Sequence, residues 1–215
     1  MKEKVVIVGG GGHAKVIIDT IRQQSAYEVA GFVDTSSKKA LLDAPKLGSD
    51  TELLTLFQSG LVLAFIAVGD NMLRKKLFNK VRDIGFTCIN VISPNAYVAP
   101  SVTLGEGIAV MPGAVINAAS TLENNVIVNT GATIDHDNHI HAHAHIAPGC
   151  HLAGGIDVEE GAFLGTGCGV IPNKKIGRWS VIGAGATVID HIGDYTKSAG
   201  VPAKKIGSTK GDGNE

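Results

Sequence analysis

The chain has 215 residues, 44% of them apolar, and a formal net charge of −1. That is enough to bury the core of one large or two small domains. The balanced charge offers neither a nucleic-acid footprint nor a basic membrane-surface patch, so small ligands are the expected partners.

The first residues, MKEKVVIVGGGGHAKV, join a short apolar run to four glycines without a cleavage-site pattern. They read as neither a signal peptide nor a membrane span, and a cytoplasmic location is expected. Three cysteines, Cys88, Cys150 and Cys168, are too few and too scattered for a disulfide framework or a CxxC metal knuckle.

KVVIV predicts a buried strand, GGGGHA a tight turn, and the residues to about Gln24 a helix. VAGFVD predicts a second strand ending at Asp34. LVLAFIAVG predicts a third, leading through Asp70 and Asn71 into a helix that reaches about Gly85. Residues 1–91 thus read as half of a doubly wound, Rossmann-like nucleotide-binding domain. Gly9, Gly11 and Ala14 fit G-x-G-x-x-G/A, with Asp34 about twenty residues on. Alone this favours NAD, but one mononucleotide half leaves no place for a nicotinamide. A glycine turn at a helix N-terminus accepts any phosphate, so a nucleotide-linked substrate fits the size better.

The second half is a repeat. Stepping by six from Ile92 to Val188 lands on Ile, Leu or Val at all seventeen positions. The position four later is small or apolar throughout, with Asn138 and Lys174 as the exceptions, and the position three later is rich in Gly, Asn and Asp. Each hexad is therefore a short strand plus a cheap corner. Three hexads per coil, eighteen residues, stack the aliphatic rungs inside a triangular prism over residues 92–192. Lys174 is expected to push the coil outward near IPNKKIG, as a functional lip or an ordinary bulge. Residues 193–215 read as a C-terminal segment with GVPAKKI and a disordered tail.

One stretch of the repeat, NTGATIDHDNHIHAHAHIAPG, places histidines at 136, 139, 141, 143 and 145. Neutral imidazole titrates in the range needed to take a proton from a nucleophile. A neighbouring carboxylate fixes its tautomer, which gives Asp137 or Asp135 a role. Asp137 also sits at a corner, where Asp serves simply to turn the chain. Cys150 and Cys168 fall in the inward small-residue series as core filler, which favours direct transfer over a covalent acyl-enzyme. Histidine 139, 141, 143 and 151 read as solvated or interfacial surface.

GGGGH, IAVGDNMLRKKL, the hexapeptide ladder carrying NTGATIDHD and the terminal GVPAKKI together resemble the bacterial sugar O- and N-acetyltransferases over residues 4–206. The resemblance implies a left-handed parallel β-helix, a homotrimer with active sites between subunits, and acetyl transfer from acetyl-CoA to a sugar amine or hydroxyl. It implies a nucleotide-linked amino-sugar as acceptor, for example a UDP- or dTDP-4-amino-4,6-dideoxyhexose, in surface glycan biosynthesis. O-acetylation of sialic acid or another sugar is the alternative. It further implies His136 as general base with Asp137 beside it, His145 at the acetyl group and Asn129 nearby. The oxyanion donor is left open between His145, Asn129 and a backbone N–H. Gly9, Gly11, Gly12, His13, Asp34, Gly69, Asn71 and Arg74 fall on the sugar-nucleotide pocket. Gly154, Gly165, Thr166, Lys174, Ala184 and Lys204, with His145, fall along the CoA channel. The gamma-class carbonic anhydrases resemble only the second half, and they need a third histidine upstream. None lies between His13 and His136, so no metal is expected.

Overall fold

The structure, a computed structural model, describes residues 2–210, so the end of the expected disordered tail lies outside the described residues. The chain divides into two compact units, the first ending at Pro94 and the second beginning at Asn95.

In the first unit, strand β1 (Glu3–Val8) runs into helix α1 (Gly12–Gln23) and strand β2 (Tyr27–Val33). Ala14, Ile17, Ile18 and Ile21 recur at helical spacing and are buried, which is why this segment winds as α1 and packs one face. A short hairpin, β3 (Ala40–Leu41) with β4 (Ala44–Gly48), and helix α2 (Leu53–Gln58) come next. They precede β5 (Leu63–Ile66), α3 (Asn71–Ile84) and β6 (Thr87–Cys88). The sheet order is β3-β4-β2-β1-β5-β6, parallel except for the β3–β4 hairpin. Helix α3 begins where Asp70 accepts from the Leu73 N–H at 2.8 Å and ends at Gly85, whose φ of 115° few other residues tolerate. Hairpin and α2 have no clean periodicity in sequence, and the sheet is correspondingly wider than the three strands read there.

In the second unit each hexad contributes a two-residue strand, and each strand pairs in parallel with the one eighteen residues on. Face A holds the strands that begin at Tyr97, Val115, Thr133, His151, Gly169 and Thr187. Face B holds those beginning at Thr103, Thr121, His139, Asp157 and Lys175. Face C includes those beginning at Ala109, Ile127, His145, Phe163 and Val181. From Val110 to Val188 no aliphatic rung is more than 4% exposed, so the ladders form one continuous dry interior.

One detail departs from the sequence reading and one adds to it. At IPNKKIG there is no outward loop: Lys175 keeps the register opposite Asp157, and Asn173 turns the corner at φ 59° like its counterparts. A lysine stem can lie along apolar surface with its ammonium in water, so Lys174 does not break the coil. Past the last full coil, Thr196–Ala199 and Lys204–Ser208 form an antiparallel pair that continues face C.

Candidate active site

His136 stands on the corner between faces A and B, 61% exposed at its side chain. Its Nδ1 lies 2.7 Å from Asp137 Oδ2, so Nδ1 carries the hydrogen and Nε2 is left as the basic nitrogen. Asp137 has φ 58°. It therefore turns the corner and orients the imidazole, two roles the sequence presented as alternatives. Asp135 serves differently: its Oδ1 accepts from the His136 backbone N–H at 3.0 Å and from Asn117 Nδ2, one coil away, at 3.1 Å.

The hydrogen bond to Asp137 is the main influence on His136. Together with the charges of Asp135 and Asp137 it outweighs the desolvation that opposes it and holds the imidazole above the ordinary histidine value.

Beneath the ring lies Gly154, eighteen residues on. A methyl group added there would stand 2.5 Å from His136 Cε1 and 2.7 Å from Nε2, so only glycine lets the imidazole lie flat on the next coil. Inside the prism, Asn138 ties the same corner to its neighbours. Its Nδ2 donates to the carbonyls of Asp135 and Ala153 at 2.6 and 3.0 Å, and its Oδ1 accepts from the Ile156 N–H at 2.9 Å. The one signal of this residue in sequence was a polar side chain in a series of small ones.

His145 belongs to a different place. It heads a strand on face C, almost fully buried, with its ring edge-on to Phe163 at 5.1 Å between centroids. Its Nε2 lies 3.1 Å from Asn129 Nδ2 and accepts from that amide, so the ring hydrogen sits on Nδ1. Face C is the side of the prism opposite the A/B corner. One chain therefore does not bring His136 and His145 together.

The remaining histidines are not uniform surface. His143 was read as surface but is 7% exposed at a left-handed corner, with Nδ1 2.9 Å from Asn125 Nδ2 on the preceding coil. A corner side chain can fold back onto the coil before it, which a hexad pattern alone does not reveal. His151 is exposed and meets Thr133 Oγ1 at 2.9 Å.

Cys150 and Cys168 are fully buried and stacked, Sγ to Sγ 3.5 Å. The contact with Cys150, together with burial, pushes the Cys168 thiol up, and a buried thiol of this kind is a poor nucleophile.

Of the residues read for the CoA channel, Thr166 and Ala184 are exposed, whereas Gly165 is packed so that an added methyl would meet Ile182 O at 2.6 Å. Lys174 is half-buried, and Lys204 is exposed with Nζ 3.7 Å from Asp190 Oδ2.

In the first unit the glycine turn is built by Asp34. Its Oδ2 accepts from the Gly10 N–H at 2.8 Å and its Oδ1 from the Ser36 N–H at 2.7 Å, while Lys38 Nζ donates to the Gly10 carbonyl at 2.6 Å. Burial alone would raise the Asp34 pKa, but the Ser36 and Gly10 bonds and the Lys38 charge hold it below the usual carboxylate range. Gly10, which the fingerprint spacing passes over, tolerates no side chain, since a methyl would meet Asp34 Cγ at 2.8 Å. Gly9, at φ 120°, likewise lies against the Ala67 carbonyl. Gly11, Gly12 and Gly69 face open space, and Gly11, the N-cap of α1, brings no side-chain cap, so the first N–H groups of the helix can meet an anion.

Arg74 is 1% exposed and donates to the carbonyls of Val68 and Gly69 at 3.3 and 3.1 Å. Burial, with Arg74 nearby, lowers the His13 pKa to about 4, and His13 Nε2 has no hydrogen-bond partner. Asn71 is also largely buried, at the start of α3. These three residues shape the floor of the turn, whereas Gly11, Gly12 and Gly69 form its open surface.

A β-helix of six-residue rungs with an outward histidine–carboxylate pair is the plan of a hexapeptide-repeat acyltransferase, here preceded by an α/β unit. Residues 4–81 match the family described as the PglD N-terminal domain. A variant of perosamine N-acetyltransferase from Caulobacter crescentus, solved in complex with CoA and GDP-perosamine, is 47% identical, with a TM-score of 0.93 over 95% of this chain and 97% of that one. The acetyltransferase domain of PglB from Neisseria gonorrhoeae, in complex with acetyl coenzyme A, is 34% identical, with a TM-score of 0.91 over 96% and 100%. A UDP-N-acetylbacillosamine N-acetyltransferase from Bacillus subtilis is 40% identical over 115 residues, so the chain spans about half the length of that curated relative. The chain belongs to the bacterial sugar acetyltransferase family. Among the described residues no helix is long and apolar enough to cross a membrane.

Proposed function

We propose that this protein transfers the acetyl group of acetyl-CoA to the amine of a nucleotide-linked amino-sugar, in the cytoplasm. The observation that carries this reading is the His136–Asp137 pair, at 2.7 Å, standing exposed on a coil that shares its fold and nearly half its residues with an enzyme of that kind. His136 Nε2 takes the proton as the sugar nitrogen attacks the thioester carbonyl, and Asp137 stabilises the imidazolium that forms. The tetrahedral intermediate collapses with the CoA thiolate as leaving group, which takes the proton from the imidazolium and leaves as the thiol. The glycine turn and the start of α1 hold the nucleotide phosphates, with Asp34 fixing the turn.

The active form is a homotrimer in which His136 of one chain faces His145 of the next, since the two lie on opposite sides of one prism. His145, its ring held by Asn129, then stands at the thioester carbonyl of the neighbouring chain's site. Ile171 and Ile189, exposed and stacked eighteen residues apart, offer apolar surface for such packing.

GDP-perosamine joins UDP- and dTDP-4-amino-4,6-dideoxyhexoses as a candidate acceptor, on the strength of the solved relative. Thiol release from acetyl-CoA tests the reading, with a panel of these amino-sugar nucleotides, CMP-sialic acid and free sialic acid. Turnover on an amino-sugar nucleotide is expected. Turnover on sialic acid alone, or silence across the panel, contradicts it.

A further inference from the structure

Face B carries a second cluster that acetyl transfer does not use. His139 and His141 are two residues apart on extended chain, so both rings leave the same face, and they stack with centroids 3.8 Å apart. Glu123, on the preceding coil, places Oε1 2.9 Å from His139 Nε2 and 3.2 Å from His141 Nδ1. Its Oε2 accepts from the Ala142 N–H at 3.0 Å, which aims Oε1 at the two rings. On the following coil, Asp157 Oδ1 lies 2.9 Å from His141 Nε2.

These contacts over-subscribe one imidazole. A neutral His141 has a single N–H for two carboxylates. When Nε2–H serves Asp157, the Nδ1 lone pair faces the Glu123 oxygen, a conflict that either a proton on Nδ1 or a metal cation between the two atoms resolves. The three donors Glu123 Oε1, His139 Nε2 and His141 Nδ1 all lie within 4.8 Å of one another. Tetrahedral bonds of about 2.0–2.2 Å would set such donors about 3.3–3.6 Å apart, near the 2.9 and 3.2 Å that separate Glu123 Oε1 from the two ring nitrogens. A carboxylate on the far nitrogen of a ligating histidine, as Asp157 is placed, is the usual outer support of such a ligand. The neighbouring group of His141, Asp157 and Glu159 is also compact. There the Lys175 ammonium already pairs with Glu159 and lies 3.8 Å from Asp157.

We propose that Glu123, His139 and His141 form a binding site for one divalent transition-metal ion of the imidazole-preferring class, such as Zn2+, Co2+ or Ni2+, with Asp157 orienting His141. The ion joins two successive coils on face B, apart from the His136 corner, and leaves a coordination position to water.

The test uses the untagged full chain, freed of metal by chelator and titrated with Zn2+ and Co2+, followed by calorimetry, the Co2+ visible spectrum and thermal unfolding. One ion per chain and a higher Tm with Zn2+ are expected. His139→Ala with His141→Ala should weaken binding by about a hundredfold or more, and Asp157→Asn by about 10–100-fold. His136→Ala and His151→Ala should bind as the wild type does, with unchanged far-UV spectra as the folding control. Absence of saturable binding, equal affinity in the double variant, or loss of binding in His151→Ala would overturn the site.

Discussion

The two units hold their functional side chains in opposite ways. In the β-helix a residue's neighbours are eighteen away along the chain, so Asn117 meets Asp135 and Gly154 lies under His136. In the α/β unit the decisive contacts have no period: Asp34 reaches back to Gly10, and Arg74 turns inward to the Val68 and Gly69 carbonyls. The first arrangement places groups by stacking, the second by loops packed on a sheet. Substitutions in the β-helix should therefore change rate with little loss of fold, and those in the α/β unit should change binding or stability.

The largest effect expected is on the β-helix. His136→Ala should lower kcat by about 10²–10⁴-fold with an unchanged far-UV spectrum, the usual range for a general base. Gly154→Ala is the sharper probe, because no catalytic atom is removed. The added methyl displaces an exposed ring, so kcat should fall by about 10²-fold, the order expected for a misplacement of about 1 Å, with near-native thermal unfolding. A fully active Gly154→Ala would break the stacking account.

Next comes Asp137→Asn, read through pH. His136 is held above the ordinary histidine value, chiefly by its bond to Asp137, and only the deprotonated ring acts as base. The acid limb of kcat/KM should therefore lie above the usual histidine range in the wild type. It should move to lower pH in Asp137→Asn while the plateau rate drops. A limb that stays in place would remove Asp137 from the site.

In the α/β unit the effects are smaller in rate. Arg74→Leu leaves two carbonyls short of a partner at the edge of the turn and should cost about 1–3 kcal/mol in urea unfolding. Asp34→Ala should raise KM for the nucleotide sugar and leave KM for acetyl-CoA nearly unchanged. An equal rise in both would separate the glycine turn from nucleotide binding.

The same contrast explains what the sequence discloses. The rungs from Val110 to Val188, the inward Cys150 and Cys168, and the pairing of His136 with Gly154 across one coil all follow from a period of six and its triple. Asn138 betrayed itself only as an exception, because a pattern of sizes does not say which carbonyls a buried amide will meet. His143 and the His139–His141 stack depend on rotamers and on the coils above and below, which the hexad leaves undetermined. In the first unit the strand-turn-helix fingerprint was legible. The hairpin at Ala40–Gly48, the role of Gly10 and the burial of Arg74 were not, because they arise from packing between segments that share no period.

The central claim is that one chain holds two half-sites on opposite sides of its prism, completed only between chains. Mixing His136→Ala chains with His145→Ala chains, after dissociation and reassembly, tests it most directly. Each variant alone should be nearly inactive, and the mixture should recover activity, since about one site in four in a randomly assembled trimer combines an intact His136 with an intact His145. A mixture no more active than its parents would contradict the shared site.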